Sequence, residues 1–345
     1  MPTPADDGFF MPAEWTPHQR CWMAWPAREQ TWRGKLDEAL AAHAQVAKAV
    51  AEFEPVTMVC NPGDVADVSL MCGPGIEVVP IPVNDGWMRD IGPSFLIDGK
   101  GGIAGIDWGF NAWGGLRDDY ETDAAIAGHV LDHIKAPRYK APLVLEGGAI
   151  HVDGEGTLLT TEECLLDPAR NPGMTKLKAE ELLRQYTGAE RVIWLGKGYD
   201  KDETKGHVDE VACFAAPGVV LVQTTSDTGD ANFKITQDNL DRLRGATDAK
   251  GRKLEIVEIP QPARRDEGGK RMTMSYINFY FANGALVVPA FEDPNDTTAV
   301  KVFMKLFPDR KIVTVPAVDI VRGGGGIHCI TQPQPVAATN LSRCL

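Results

Sequence analysis

The stretch VRGGGGIHCITQPQP, residues 321–335, runs four glycines into Ile327, His328 and Cys329. A backbone stripped of side chains just ahead of a thiol either lets another group come very close to Cys329 or forms a plain loop beside a buried cysteine. Three more segments carry groups able to do chemistry: NDGWMRDIGP (84–93), LEGG (145–148) and GHVDE (206–210). Between them the four segments offer Asp85, Trp87, Asp90, Glu146, His207, Asp209 and Cys329. That is a thiol, an imidazole, several carboxylates and a flat indole.

A cysteine and a histidine alone suit a thiol protease or amidase. Such sites need donors for an oxyanion, and clustered carboxylates oppose negative charge. Carboxylates suit an electrophilic carbon that is itself cationic. A guanidinium fits, because its planar N–H donors match carboxylates in pairs and an indole can stack on its face. Its resonance slows hydrolysis, so a thiolate nucleophile and a proton donor for departing ammonia are required. Each residue also has a bland reading. Cys329 can be a small buried hydrophobe, His207 and Asp209 a satisfied strand-end pair, and Trp87 plain core. Recurrence of such segments at matching places favours the chemical reading.

Other candidates carry less. His129 and His133 have the i, i+4 spacing of a helical metal pair, but HVLDH lacks the glutamate of H-E-x-x-H. The glycines form neither a phosphate loop nor a dinucleotide fingerprint. No metal and no cofactor is expected.

The elements that must position these residues repeat. SFLIDGKGGIAGID (94–107), AIHVDGEGTLLTT (149–161), VACFAAPGVVLVQ (211–223) and NFYFANGALVVPA (278–290) each read as an apolar strand, a glycine-containing turn and a second apolar strand. Helical periodicity lies between them, near 121–135, 174–186, 236–245 and 297–307, with an N-terminal helix near 35–53 leading into the strand PVTMVC. IHCITQ reads as the first strand of a further unit, with CWMAW near the N-terminus as its partner. Repeats that cannot bury their faces alone suggest a ring closed by the two chain ends. A doubly wound α/β sheet is the competing arrangement.

Length and composition set the frame. No low-complexity linker divides the 345 residues, so one catalytic domain, 1–345, is expected. A 43% hydrophobic, 24% charged chain without a run of about 20 apolar residues excludes a membrane helix. The first fifteen residues lack a basic region followed by an apolar run, so no signal peptide is expected and cytoplasm is the default. Seven scattered cysteines, Cys344 among them, form no Cys-x-x-Cys pair and argue against a disulfide framework. The sequons at Asn295 and Asn340 are then chance matches. A net charge of −13 disfavours nucleic acid and suits a cationic small molecule.

These residues also carry a resemblance. MPAEWTPHQRCWMAWP, NDGWMRDIGP, GIDWGFNAWGG, LEGGAIHVDGEGTLLTTEECLL, RNP, GHVDE and GGGGIHCITQPQP resemble, in order, the agmatine deiminase family and the wider group that includes bacterial-type peptidylarginine deiminases. The likeness runs from about residue 8 to 336. It implies a five-bladed α/β propeller with pseudo-fivefold repeats, and hydrolysis of agmatine to N-carbamoylputrescine and ammonia in polyamine biosynthesis. By the resemblance, Cys329 is the nucleophile that forms an amidino-thioether, His207 the general acid/base, and Asp90 and Asp209 the carboxylates that hold the guanidinium. Trp87, Glu146 and Asp85 fall in the substrate-binding segments, and Asn278 lies close to another. The partner implied is a small guanidino cation, with neither nucleic acid nor membrane and with room for a homo-oligomer.

Three positions depart from the family pattern: Gly326 stands where asparagine is common before IHC, Lys205 where asparagine or aspartate is common before GH, and Glu210 after H-x-D where asparagine is usual. Arg89, in NDGWMRDIGP, and Lys205, directly before GHVDE, are the cations weighed against a substrate carboxylate. Arg89 is expected to point away from Asp90 in an extended segment, and Lys205 to lie solvated at the rim. Free arginine or peptidylarginine as substrate, an amidinotransferase resolving the same intermediate with an amine, and a non-catalytic polyamine-binding protein stay open.

Overall fold

The computed structural model describes residues 2–337; Cys344 and the Asn340 sequon lie outside them. Among the described residues, five α/β sheets of three or four strands share one plan, beside a two-stranded ribbon at Asp266–Glu267 and Lys270–Arg271. In four sheets an antiparallel hairpin leads through a helix to a strand that lies parallel to the hairpin's second strand. These are Ser94–Ile97, Ile103–Gly109 and Arg138–Val144; Ile150–Val152, Thr157–Thr161 and Arg191–Leu195; Ala212–Ala216, Val219–Thr224 and Glu255–Pro260; and Tyr280–Ala282, Ala285–Ala290 and Lys311–Pro316. The turns follow the glycines: Gly154, Gly218 and Gly284 sit at φ +73°, +76° and +76°, where a Cβ would be strained.

The fifth sheet joins the chain ends. Thr331–Pro335 runs antiparallel to His18–Ala24, with Cys21 opposite Pro333, and Val56–Cys60 and Ile76–Pro80 continue the sheet in parallel. The final strand therefore starts four residues later than IHCITQ suggested. The reason is local: the amides of His328 and Cys329 donate to the Asn278 side-chain oxygen at 2.8 and 3.2 Å instead of joining a ladder.

The helices fall where the periodicity put them, with two differences. The 121–135 segment breaks into Glu121–Ala124 and Ile126–Ile134. The helix expected from 236 begins at Ala231, where the Asp230 carboxylate caps the Asn232 amide at 2.9 Å. Its first turns are polar, which hides them from an apolar-period reading. Leu36–Ala51 buries one stripe, including Ala39, His43, Val46 and Val50. Among the described residues no helix is long and apolar enough to cross a membrane.

One regularity matters for the site. The chemistry-bearing segments lie directly before the first strand of each hairpin. A helical turn, Met88–Ile91, precedes Ser94; the 3-10 turns Gly147–Ala149 and Val208–Glu210 precede Ile150 and Ala212; Asn278 precedes Tyr280, and Cys329 precedes Thr331.

Candidate functional site

Cys329, His207, Asp90 and Asp209 are brought together from three sheets, and all are nearly or fully buried. Cys329 Sγ receives the Asn278 amide at 3.1 Å and lies 3.5 Å from Asp209 Oδ2 and 3.8 Å from Glu210 Oε1. His207 Nδ1 is 3.9 Å from both Asp90 Oδ1 and Asp209 Oδ1. Three buried polar atoms converge here without a hydrogen-bond partner: His207 Nδ1, Asp209 Oδ1 and Glu210 Oε2. Buried groups of this kind are costly unless something completes them, and Asp209 Oδ1, an acceptor beside Asp90, suits the N–H donors of a ligand.

Glycine makes the room. A Cβ on Gly148 would lie 2.6 Å from His207 Nδ1, 2.8 Å from Asp209 and 3.0 Å from Asp90, in the middle of the cluster. On Gly325 it would meet the Trp87 ring at 2.7 Å and Cys329 Sγ at 3.0 Å. The glycine run is therefore required by close approach around the thiol rather than by flexibility.

The walls of the cleft are Trp87, Trp113, Leu116, Arg117, Glu203, Thr204 and the backbone of Gly323–Gly325, with Asp90 and Cys329 at its base. Trp87 is stacked on Trp32, centroids 5.2 Å apart. Trp113 holds Asp90 Oδ2 with its indole N–H at 2.8 Å. It does so from φ +55°, a left-handed conformation that a bulky residue adopts only when its surroundings impose it.

Asp85 and Glu146 stand behind these walls. Asp85 accepts from Thr31, Trp32, Gly86, Trp87 and Arg117, so its carboxylate fixes the two stacked indoles. Glu146 accepts from Arg170 at 3.0 and 3.1 Å and faces His207 Nε2 at 3.2 Å. This contact aims the other ring nitrogen, Nδ1, at the two aspartates. Arg89 is not in an extended segment: the Trp87 carbonyl takes the amides of Asp90 and Ile91, closing a helical turn. Turned away from Asp90 within that turn, the Arg89 side chain meets Glu14 at 2.7 Å. Lys205 is about half exposed and paired with Asp167 at 3.3 Å.

The charges are strongly coupled. Burial raises Asp90, with Asp209 and Glu146 adding to it against the charge of His207, to about 6. Burial also opposes ionisation of Asp209, but the hydrogen bond and charge of His328 and the charge of His207 hold it below the usual range. Glu210 is pushed well up by burial and by the neighbouring Asp209, so it keeps a proton when Asp209 does not. Burial disfavours the His207 imidazolium, yet Asp90, Cys164 and Glu146 around it raise it well above an ordinary histidine. The Cys329 thiol is pushed well up by burial and by Asp209, Glu210 and Asp90. Without a cationic ligand, Cys329 stays a thiol.

Three groups of His, Cys and carboxylates among the described residues could be considered for a metal: Glu14/His151/His328, Glu146/Cys164/His207 and Asp209/Glu210/Cys329. The first two already hold a guanidinium on the carboxylate, Arg89 and Arg170, where a metal's charge would sit. The third is the cleft base itself. His129 and His133 belong to none of them.

The model of the Porphyromonas-type peptidyl-arginine deiminase family matches residues 10–335. The chain belongs to that family. Among curated relatives, agmatine deiminase of Pseudomonas aeruginosa (strain LESB58) is 44% identical, over 96% of this chain and 97% of its own. A solved agmatine deiminase of Enterococcus faecalis superposes with a TM-score of 0.96 at 40% identity, covering 98% of this chain and 99% of that one. A substrate-bound agmatine deiminase of C. jejuni gives 0.86 at 28%, covering 94% and 96%.

Within this family member, sequence reasoning missed Trp113, Arg117, Glu203, Arg170, Glu14 and His328. GIDWGFNAWGG was visible as a motif, yet nothing in it said that Trp113 would reach Asp90. His328 stood beside Cys329 and was passed over for the thiol. Glu14 and Arg170 lie 314 and 24 positions from the partners they serve.

Proposed function

We propose that the chain is an agmatine deiminase, converting agmatine and water to N-carbamoylputrescine and ammonia. The observation that carries this reading is the convergence of unpartnered His207 Nδ1 and Asp209 Oδ1 with Asp90 around Cys329 Sγ, at the end of a cleft walled by two indoles. The relatives, at 41 to 49% identity, are named for the same activity.

In this mechanism Asp90 and Asp209 accept the guanidinium N–H groups and fix the carbon above Cys329. The incoming cation offsets the carboxylates that hold the thiol neutral, so binding itself favours the thiolate, and the thiol proton is released to solvent. The thiolate adds to the carbon, the C–N bond to the terminal nitrogen breaks, and His207 supplies the proton with which ammonia leaves. Water then adds to the amidino-thioether, His207 takes its proton, and the C–S bond breaks to release N-carbamoylputrescine and Cys329. Asn278, donating to Sγ, stabilises the thiolate at both stages. Glu203, on the cleft wall, is the carboxylate available to the distal ammonium.

The five like-ordered sheets, with their chain-end pairing, support a five-bladed propeller in one catalytic domain, and the net charge and the free, buried state of the six cysteines among the described residues fit the cytoplasm. One observation favours a second reading. Arg117 lines the cleft and could meet the carboxylate of free arginine. It is engaged by Asp85 at 3.3 Å and lies over the Trp113 ring, which supports agmatine instead. Ammonia release and product mass from agmatine, arginine and a blocked arginine peptide decide the matter. Release from agmatine alone upholds the reading, and release from arginine alone overturns it.

A further inference from the structure

Behind Asp209 lies a layer of charge that the reaction steps do not touch. The His328 ring spans two carboxylates: Nδ1 is 2.8 Å from Asp209 Oδ2, and Nε2 is 2.9 and 3.0 Å from the two oxygens of Glu14. Glu14 also receives Arg89 Nη1 at 2.7 Å. Arg89 grips both sides of the cysteine, its Nε reaching the His328 carbonyl at 3.4 Å and its amide the Cys329 carbonyl at 3.0 Å. All of these residues are at most 5% exposed.

Ionised carboxylates only accept hydrogen bonds, so a ring placed between two of them must donate from both nitrogens. Charge balance agrees: with His328 as imidazolium, Glu14, Arg89, His328 and Asp209 sum to zero in a region where an uncompensated charge is expensive. The remaining groups facing the pair do not upset this. His151, 3.8 Å from Glu14, is lowered by burial to about 4 and accepts the Phe214 amide through Nδ1, so it is neutral. Cys213 is held as a thiol by burial, and Glu210 keeps its proton. On the cleft side Asp209 faces His207, Asp90 and Cys329.

We infer that Glu14 and His328 are positioning residues for guanidinium binding: the His328 imidazolium, anchored by Glu14, pins Asp209 Oδ2 beside Cys329 Sγ and leaves Oδ1 as the oxygen free to take the substrate. This deepens the deiminase reading and rests on it. A carboxylate with one oxygen unpartnered and buried would otherwise turn to share its contacts. Here it is held, and the free oxygen faces His207 across the space that a guanidinium would fill. A pair that merely tied the N-terminal segment to the Cys329 loop would not need to reach Asp209.

Two substitutions separate positioning from packing. His328→Asn keeps a donor where Nδ1 stood but loses Glu14 and the positive charge; His328→Gln reaches Glu14 but leaves Asp209 unpinned. For variants whose melting temperature stays near wild type, the Gln change should raise KM for agmatine by about a hundredfold and the Asn change by about tenfold, with kcat less affected. In His328→Asn the acid limb of kcat/KM should steepen and move to higher pH, because Asp209 loses the cation that keeps its carboxyl low and then titrates alongside Asp90. A 15N–1H spectrum of the resting wild-type protein at neutral pH should show His328 protonated on both nitrogens, whatever the substrate. Wild-type KM and an unmoved acid limb in both folded variants overturn the inference, as does a neutral His328 in the spectrum. Failure of the wild type to deiminate agmatine would instead sink the activity, and the spectrum would still decide the state of His328.

Discussion

At the base of the cleft and packed behind it, Asp90, Glu146, His207, Asp209, His328 and Cys329 are each at most 5% exposed; toward its rim, the side chains of Glu203 and Lys205 are 30% and 46% exposed. Apart from the Cys329 thiol these are charged groups taken out of water, and the three acids and the thiol are each answered by a second residue: Arg170 for Glu146, Trp113 for Asp90, His328 for Asp209 and Asn278 for Cys329. The rim charges are answered mostly by solvent and by ordinary surface pairs, such as Lys270 with Glu203 and Asp167 with Lys205. Desolvation makes each charge at the base strong and its partner indispensable, while water screens the rim. The base should therefore govern whether reaction occurs, and the rim which cation is preferred.

The largest effect expected is at the thiol. Cys329→Ser should abolish turnover, because a hydroxyl in a carboxylate-rich site cannot replace a thiolate. Cys60→Ser and Cys72→Ser, buried away from the cleft, should retain it. Mass spectrometry of an acid-quenched reaction should find the amidino adduct on Cys329; an adduct on another cysteine would end the comparison, since the base would not be the reacting region.

The carboxylates come next. Asp90→Asn or Asp209→Asn keeps shape but removes a desolvated carboxylate proposed to hold the guanidinium, so a loss of about 3–5 kcal/mol, more than about a hundredfold in kcat/KM, is expected. The pH profile sharpens this. Asp90 is a carboxyl raised to about 6, so it gains a proton as pH falls through that value, and the charge that grips the substrate is lost. The acid limb of kcat/KM should lie near pH 6 and should change in Asp90→Asn. An acid limb unaltered by that substitution would assign it to another group.

The same contrast explains what could be read from sequence. The base was legible where a chemical residue sits in a short run with its own turn: NDGWMRD, LEGG, GHVDE and GGGGIHC each name their residue locally, and the hairpins repeated behind them give the order of strands and helices. Support for the base was not legible, because a partner is set by distance in space. Glu14 meets His328 across 314 positions, and Arg170 reaches Glu146 from another loop. Local backbone geometry was also hidden. MRDI reads as an extended segment, and only the Trp87 carbonyl, taking two amides, makes it helical and sends Arg89 to Glu14. Trp113 was hidden for a related reason, since its reach depends on a left-handed backbone that nothing in its residue type favours.

At the rim the expected effects shrink. Glu203 faces the cleft while pairing with Lys270 at 2.9 Å and Arg33 at 3.6 Å. Glu203→Gln removes the carboxylate and leaves two cations near the distal ammonium, so KM for agmatine should rise by about tenfold, or about 1.4 kcal/mol, with kcat nearly unchanged. A fall in kcat of the size expected for Asp90→Asn would place Glu203 with the base.

The smallest effect belongs to Lys205. Its ammonium is half exposed and held by Asp167, and it does not line the cleft; Arg117 is the wall residue that carries positive charge. A pair of this kind contributes about 1 kcal/mol or less, so Lys205→Asn should change kcat/KM for agmatine by no more than about fivefold. The backbone favours the change: Lys205 sits at φ +58°, a conformation asparagine tolerates better than most residues. Wild type and variant should both prefer agmatine to arginine by at least about tenfold, because Arg117 remains engaged by Asp85 in both. Steady-state kinetics on the two substrates test this directly. If the wild type prefers arginine and the variant switches to agmatine, a half-exposed lysine would be selecting the substrate across a screened distance, and the division between a desolvated base and a solvated rim would fail.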